Sequence, residues 1–272
     1  MDASLLILTD FFQAANKALD YATNLTGPLG ARLVLLHVRR DSLLDPEAFT
    51  GGISNLSQDA IRLALNSVAD SLPVPVVAEV GHGRVAFAVA DAVSRHHPLL
   101  VVLGRPDYSD TPDELVQTTS LDLLRTAPYP MLVVPHGVSS TAPPRRVLLA
   151  TDGGPFSLGE HAGTARHLLA ALGADITVFH VVPETGPDEL PPLVLDSVMR
   201  TGLMLDLPPA QCRTVVSEQA AAGILNAAQP ADYDLVVLIA RRRSFMGNLF
   251  HHSVTAQVML ESKLPVLVLP AE

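Results

Sequence analysis

The sequence has one cysteine, no tryptophan and few other aromatic residues. A lone thiol, Cys212, forms neither an internal disulfide nor a multi-thiolate zinc site, and it fits a reducing compartment such as the cytoplasm. Aromatic residues make up only 4% of the chain, so its cores must be built from aliphatic side chains. Aliphatic cores are typical of parallel strands that helices cover on both faces.

Positive charge and long apolar runs are also scarce. Lys and Arg total 18 against 28 Asp and Glu, which gives a formal net charge of −10. This balance argues against the broad cationic surface that binds phosphate backbones, so we expect no nucleic-acid partner. No apolar run approaches the roughly 18 residues of a spanning helix, and the start lacks the basic segment of a signal peptide. We therefore expect a cytoplasmic protein without membrane insertion.

The chain is long enough for two domains, and it contains an internal repeat of about half its length. Its 272 residues are 48% hydrophobic and 17% charged, which argues for folded domains rather than disorder. Residues 5–10 recur as residues 147–152, and residues 30–38 recur as residues 173–181. Later fragments recur with an offset of 135 instead of 142 or 143, so the second copy is about eight residues shorter in its middle.

A segment of linker composition separates the two copies. Residues 137–144 are rich in Ser, Thr, Gly and Pro, and the Pro-Pro pair resists helix continuation. We place the boundary near residue 140, with one domain over residues 1–138 and a second over residues 145–272.

Each copy alternates short aliphatic runs with segments of helical periodicity, a pattern that indicates parallel strands joined by crossover helices. Strands are predicted in the first copy at residues 4–9, 32–38, 74–80, 99–103 and 131–134. Helices are predicted at residues 12–26, 58–71, 85–95 and 112–126. The predicted fold is α/β, two tandem, open, doubly wound five-stranded parallel sheets of Rossmann-like type, with a crevice at the carboxyl ends of the strands. Residues 183–209 of the second copy contain many prolines and are predicted to be partly irregular.

The last strand of each copy is strongly apolar. Left alone, residues 131–134 and 266–269 would each form an exposed sheet edge. We predict that these edges pair or cover each other, which makes the two copies an intramolecular pseudo-dimer. A homodimer and other protein partners remain open alternatives.

Several features occur in the same order in both copies. The first strand ends in Asp10 or Asp152, the second contains Leu-Leu-His-Val at residues 35–38, the fourth is aliphatic, and the last has a Pro-x-Leu-Val-Val-Pro pattern. In these features, nearly the whole chain resembles a tandem, UspA-like member of the universal stress protein family. The resemblance implies five-stranded parallel domains of the type also found in adenine nucleotide alpha-hydrolases, and a role in the stress response. Many members of the family bind ATP and others do not.

The ATP-binding members carry Gly-x2-Gly-x9-Gly-(Ser/Thr) after the fourth strand, where small residues let backbone N–H groups approach the phosphates. In the first copy Gly104 and Thr118 keep the first and last positions, but Asp107 and Gln117 replace the other glycines. In the second copy the four positions hold Ile239, Arg242, His252 and Ser253. The motif is degenerate in both copies, so we expect no tightly bound cofactor and an ATP dissociation constant of about 1 mM or weaker.

The candidate binding residues surround the predicted crevices. Asp10 and Asp152 follow the first strands, where a carboxylate either contacts a nucleotide or forms a turn or helix cap. Thr118 and Ser253 are candidate phosphate donors, with a helix N-cap as the favoured alternative. The full set of candidates for a nucleotide or an anion is Asp10, Val38, Gly104, Thr118, Asp152, Arg242, His252 and Ser253.

The second copy has the only concentrated basic run, at residues 241–243. Such a run is commonly a solvated surface cluster, but this one follows the fourth strand, where its charges can converge on the crevice near Asp152. Two outcomes are then open. Either an anion binds there, or Asp152 pairs with one of the arginines and closes the crevice.

The histidines are interpreted as structural. His37 and His180 end the second strands of two separate sheets, and the pairs at 96–97 and 251–252 lack the spacing of metal ligands. The sequence contains no nucleophile elbow, Walker-type loop or paired-carboxylate motif, so we expect no metal site and no catalytic residue. The leading hypothesis is a non-enzymatic protein of the stress response. The alternatives are an ATP-binding switch with slow or no hydrolysis, and a binder of a small anionic or apolar ligand. An apolar ligand is considered because residues 187–209 could leave an apolar groove uncovered.

Overall fold

The computed structural model describes residues 3–11, 13–39, 58–106, 119–126, 129–183, 191–205, 207–241 and 253–272. The strands in these ranges are β1 (Ala3–Leu8), β2 (Ala31–Arg39), β3 (Val76–His82), β4 (Leu100–Arg105), β5 (Met131–Pro135), β6 (Arg146–Ala150), β7 (Asp175–Val182), β8 (Gln211–Val216), β9 (Leu235–Arg241) and β10 (Val266–Ala271). The helices are α1 (Gln13–Leu29), α2 (Gln58–Ser71), α3 (Val85–His96), α4 (Thr119–Thr126), α5 (Ala162–Leu172), α6 (Pro191–Arg200), α7 (Ala220–Ala227) and α8 (Val254–Glu261).

All the strands belong to one sheet with the order β3-β2-β1-β4-β5-β10-β9-β6-β7-β8. Within each half the pairing is parallel, and the strand order reverses at β1 in the first half and at β6 in the second. This confirms the predicted fold class of two doubly wound five-stranded α/β units. Each half therefore has a crevice at the carboxyl ends of its first and fourth strands, β1 and β4 or β6 and β9. The connections that follow these two paired strands lead to opposite faces of the sheet.

Helices cover both faces of the sheet, which explains why its strands are almost continuously apolar. In β1, Leu5 and Ile7 point to the face covered by α1 and α2, whereas Leu6 points to the face covered by α3 and α4. All three side chains are fully buried. The second half repeats this arrangement with α5 and α6 on the first face and α7 and α8 on the second.

The two halves join through their last strands. β5 and β10 pair antiparallel, with Leu132 opposite Leu267, and the neighbouring pairs of this register are buried as well. This confirms the predicted pairing of the two apolar edges. Because the junction is antiparallel while each half is parallel, the strands of the two halves run in opposite directions. The two crevices, each at the carboxyl ends of its strands, therefore open on opposite sides of the molecule along the strand direction.

Several boundaries differ by two or three residues from those predicted. Helix α1 continues through Gly27 and Pro28 to Leu29, because a proline in the last turn removes only one backbone hydrogen bond, and the helix ends at Gly30 with φ of +56°. Strand β3 spans Val76–His82, two residues later at both ends than the predicted strand at residues 74–80. The predicted start of α4 at residue 112 lies outside the described residues.

The described part of the proline-rich connection in the second half contains one helix followed by turns. Residues 191–200 form α6, whose side chains Val194 and Val198 are fully buried, one turn apart on the side that faces β7 and β8. Leu203 and Met204 after the helix are buried too. The described part of this connection therefore packs on the strands at a place where the sequence had left an uncovered apolar groove as one alternative.

None of the helices in the described part of the chain has the length and apolarity needed to cross a membrane.

Candidate functional site

A cavity of about 410 Å³ lies at the carboxyl edge of the second half, between the ends of β6, β7 and β9. Its wall is mostly apolar and includes Ala150, Phe179, Val181, Val182, Ile224, Leu238, Ile239 and Val254. The polar side chains of the lining are Thr151, Asp152, His180, Arg241 and Thr255. Size, apolar lining and a few polar groups at a strand-order reversal are the usual features of a small-molecule site in an open α/β sheet.

An ion pair forms part of this lining. Arg241, the last residue of β9, donates from Nη2 to Asp152 Oδ1 at 2.6 Å and to the carbonyl oxygen of Gly154 at 2.7 Å. The same Asp152 oxygen accepts a hydrogen bond from the N–H of Gly154 at 3.1 Å. Asp152 thus pairs with an arginine of the basic run, which is one of the two outcomes foreseen from the sequence. The pair does not close the crevice, because the cavity remains beside it.

The two partners of the ion pair differ in burial. The side chain of Arg241 is 15% exposed, whereas that of Asp152 is 62% exposed. An ion pair with one well-hydrated partner contributes about 0–1 kcal/mol to stability. The guanidinium is mostly removed from water and depends on protein or ligand acceptors. The site therefore holds a largely buried cation whose counter-ion is mostly exposed to water.

Histidines tie the first two strands together in each half. The Nδ1 atom of His180 lies 2.9 Å from the carbonyl oxygen of Thr151, and that of His37 lies 2.9 Å from the carbonyl oxygen of Thr9. Because a carbonyl oxygen only accepts, Nδ1 carries the proton and donates it in both cases. Both imidazoles are buried, which agrees with the interpretation of these histidines as structural.

The two crevices differ at the residue after the aspartate. Phe11 and its equivalent Gly153 both have positive φ, of 65° and 79°. The ring of Phe11 packs against His37 with a centroid distance of 5.0 Å, whereas Gly153 has no side chain to cover the cavity-lining His180. A left-handed backbone costs a residue other than glycine about 1–2 kcal/mol, so the first half accepts strain to place a ring at this position.

Gly104, the one glycine of the ATP motif retained in the first half, lies directly beneath α1. A Cβ atom on Gly104 would lie 2.7 Å from the backbone nitrogen of Ala15 and closer still to the carbonyl group of Ala14. Helix α1 starts three residues after Asp10, whereas α5 starts ten residues after Asp152, so α1 crosses the sheet nearer to its carboxyl edge. Helix packing alone therefore explains why glycine is needed at this position.

The other predicted site residues have distinct positions. Asp10 is exposed directly after β1, and Val38 is half-buried in β2 in register with Gly81. Ser253 is the N-cap of α8, and its hydroxyl oxygen accepts a hydrogen bond from the N–H of Ala256 at 3.1 Å, which confirms the favoured alternative. The remaining predicted positions, Asp107, Gln117, Thr118, Arg242 and His252, lie outside the described residues. Their roles in binding stay predictions.

The structure adds lining residues that the sequence did not single out, namely Phe179, Val254 and Thr255. Arg241 was recognised only as part of a basic run. The repeat contained only a weak signal. The position equivalent to Arg241 in the first copy is Pro106, but Arg105 ends β4 one residue earlier and donates to the carbonyl oxygen of Ser262.

Polar groups elsewhere have structural explanations. His96 Nε2 lies 2.6 Å from Glu79 Oε1. His97 has a left-handed backbone at the C-terminal end of α3, and its N–H donates to the carbonyl oxygen of Val93, which agrees with the structural interpretation of this pair. Burial raises the pKa of the Cys212 thiol, so it is less ionised than an ordinary thiol. Among the residues that the structure describes, no group of three His, Cys, Asp or Glu side chains could hold a metal ion.

The family model of universal stress proteins matches the chain twice, over residues 3–135 and 144–270. The chain therefore belongs to the universal stress protein family and contains two of its domains in tandem, as the sequence features indicated.

Solved structures agree with this fold. A universal stress protein from Archaeoglobus fulgidus superposes with a TM-score of 0.75 at 17% identity, covering 99% of each chain. A protein from Pseudomonas aeruginosa assigned to the same family gives a TM-score of 0.59 at 17% identity and covers 98% of this chain and 93% of its own. The cytoplasmic domain of a prokaryotic cation chloride cotransporter gives 0.58 at 9% identity, with 100% and 95% coverage. At these identities the likeness concerns the fold alone. No curated protein matches the sequence at a significant level.

Proposed function

We propose that the chain is a non-enzymatic, cytoplasmic regulatory protein whose second half holds a small organic ligand in the crevice at β6 and β9. The observation that carries this proposal is the cavity of about 410 Å³, which has a mostly apolar wall and an ion pair in its lining. A ligand that binds only the folded protein stabilises it, which gives such a domain a means of reporting the ligand concentration.

The polar groups of the cavity support the binding of a ligand. The Asp152 carboxylate is paired with Arg241, and Nδ1 of His180 is committed to the Thr151 carbonyl group. These contacts fix the orientation of both groups, so they can position a bound ligand. The raised pKa of Cys212 disfavours a thiolate nucleophile elsewhere in this half.

The ATP-switch alternative receives little support from the first half. Gly104 is in close contact with α1, and the Phe11 ring lies against His37 beside the end of β2. We expect isothermal titration calorimetry with MgATP to give a dissociation constant of about 1 mM or weaker. Micromolar binding would favour the ATP switch and contradict the proposal.

The cavity can be tested by copying the arrangement of the first half. In Gly153→Phe, a ring at the position equivalent to Phe11 is expected to cover His180 and to occupy part of the cavity. The neutral probe 1-octanol then buries less apolar surface, which we expect to cost about 1 kcal/mol or more and to weaken its binding by about fivefold or more. The measurement is NMR chemical-shift titration, followed at the amides of Thr151 and Thr255.

Gly153→Ala is the matched control. Both substitutions place a side chain on a backbone with φ of 79° and are expected to lose about 1–2 kcal/mol of stability, but only phenylalanine adds a ring. Equal 1-octanol affinities in the two variants would show that the probe binds elsewhere, and absence of binding to the unmodified protein at millimolar probe would remove the proposal's basis.

A further inference from the structure

We propose that this crevice selects ligands with one anionic head group on an apolar body, and that the head group displaces the Asp152 carboxylate from Arg241. The inference rests on the proposed function, because it assumes that the crevice holds a small molecule. The ligand class is an amphipathic anion such as an alkyl carboxylate or an alkyl phosphate.

The geometry of the ion pair carries the first step. Arg241 and Asp152 both line the cavity, and the carboxylate contacts the guanidinium through one oxygen, at 2.6 Å. The guanidinium is the buried partner and Asp152 the exposed one. A carboxylate that enters from the cavity can therefore replace Asp152. The Asp152 side chain then turns into water and exchanges its hydrogen bond from the Gly154 N–H for hydration, while the Gly154 carbonyl oxygen still accepts from Arg241.

The wall of the cavity carries the second step. Phe179, Ile239 and Val254 lie in the same cavity as the guanidinium, so a ligand whose head group binds Arg241 brings its body against apolar side chains. A bare inorganic anion gains the charge contact but leaves this wall in contact with water. A neutral apolar ligand gains the wall but cannot replace Asp152. Only an amphipathic anion uses both parts of the site.

The residues that carry the exchange belong to the second half. The position equivalent to Arg241 in the first half is Pro106, which has no charge, and the position equivalent to Gly153 is Phe11. The combination of an arginine at the position of Arg241 and a glycine at the position of Gly153 therefore has no counterpart in the first copy.

The test compares octanoate with 1-octanol, which share an alkyl chain and differ in charge. In Arg241→Met we expect octanoate to bind about tenfold more weakly and 1-octanol to bind within about twofold of the unmodified protein, because hydrogen bonds to a charged group typically account for a factor of ten or more. In Asp152→Asn, which keeps an acceptor for Gly154 and removes the competing charge, we expect octanoate to bind about threefold to tenfold more tightly.

Control variants separate local from general effects. Arg200→Met removes an exposed arginine of α6 that pairs with Asp196, so it makes the same change in net charge away from the crevice and is expected to leave octanoate binding unchanged. Arg241→Lys keeps the charge but not the planar fork, and is expected to bind octanoate between the unmodified protein and Arg241→Met. This variant keeps the test valid if methionine impairs folding, which circular dichroism would detect.

The outcomes distinguish the two proposals. If neither octanoate nor 1-octanol binds, the proposed function fails and the exchange fails with it. If both bind with equal affinity and the Arg241 and Asp152 variants change neither, the crevice is a receptor but the exchange is wrong. Octyl phosphate in place of octanoate distinguishes the head groups. If either anion binds more tightly than 1-octanol, and this advantage is lost in Arg241→Met, the exchange is supported.

Discussion

Replacement of Gly104 by alanine is expected to lower the free energy of unfolding by about 3 kcal/mol or more. The added methyl group would lie 2.7 Å from the backbone nitrogen of Ala15 and nearer still to the carbonyl group of Ala14. Backbone atoms of a packed helix cannot move aside as the end of a flexible side chain can, so α1 must shift away from β4. Urea unfolding followed by far-UV circular dichroism measures the loss.

Gly27→Ala is the matched control, because Gly27 lies in α1, the helix that packs on Gly104. A Cβ atom at Gly27 meets no other atom within 4 Å, and alanine is a better helix former than glycine, so we expect stability to be unchanged or to rise by up to about 1 kcal/mol. If Gly104 instead served phosphate binding alone, Gly104→Ala would be as stable as the unmodified protein and would lose only ATP affinity. That result would contradict the packing explanation.

The fold was predictable because its signals are local. Aliphatic runs separated by amphipathic segments indicate parallel strands and crossover helices, and the repeat doubles the number of observations. The junction was predictable for a related reason. Two apolar edge strands, at residues 131–134 and 266–269, have to be covered, and pairing them satisfies both edges at once.

The candidate site was only partly predictable, because its decisive features depend on tertiary neighbours. The ion pair between Asp152 and Arg241 joins residues 89 positions apart in the chain, and the sequence left open whether such a pair forms and whether it closes the crevice. The left-handed backbone of Phe11 has no signature, since residues other than glycine, asparagine and aspartate rarely adopt it. Gly104 matched a binding motif, yet its packing role appears only when α1 is placed over β4.

The junction of the two halves provides the second large expected effect. Leu267 of β10 is buried opposite Leu132 of β5, beneath the contact of α1 with α5. In Leu267→Asp, an apolar side chain is lost and a carboxyl group is buried without a partner, which we expect to cost about 4 kcal/mol or more at neutral pH. Differential scanning calorimetry is expected to record one cooperative transition for the unmodified protein and two for the variant, because each half keeps its own parallel sheet when the shared edge is broken.

The pH dependence of Leu267→Asp provides an internal check. Burial raises the pKa of the introduced carboxyl group above its value in the unfolded chain, so the folded variant binds a proton more readily than the unfolded one. The loss of stability relative to the unmodified protein should therefore be smallest below about pH 4, where the group is protonated in both states, and should grow as the pH rises through the raised pKa. Leu63→Asp, at a position of α2 that is 70% exposed, introduces the same charge and is expected to leave both the stability and the single transition unchanged. One transition and equal stability in Leu267→Asp would mean that the antiparallel pairing of β5 with β10 does not couple the halves.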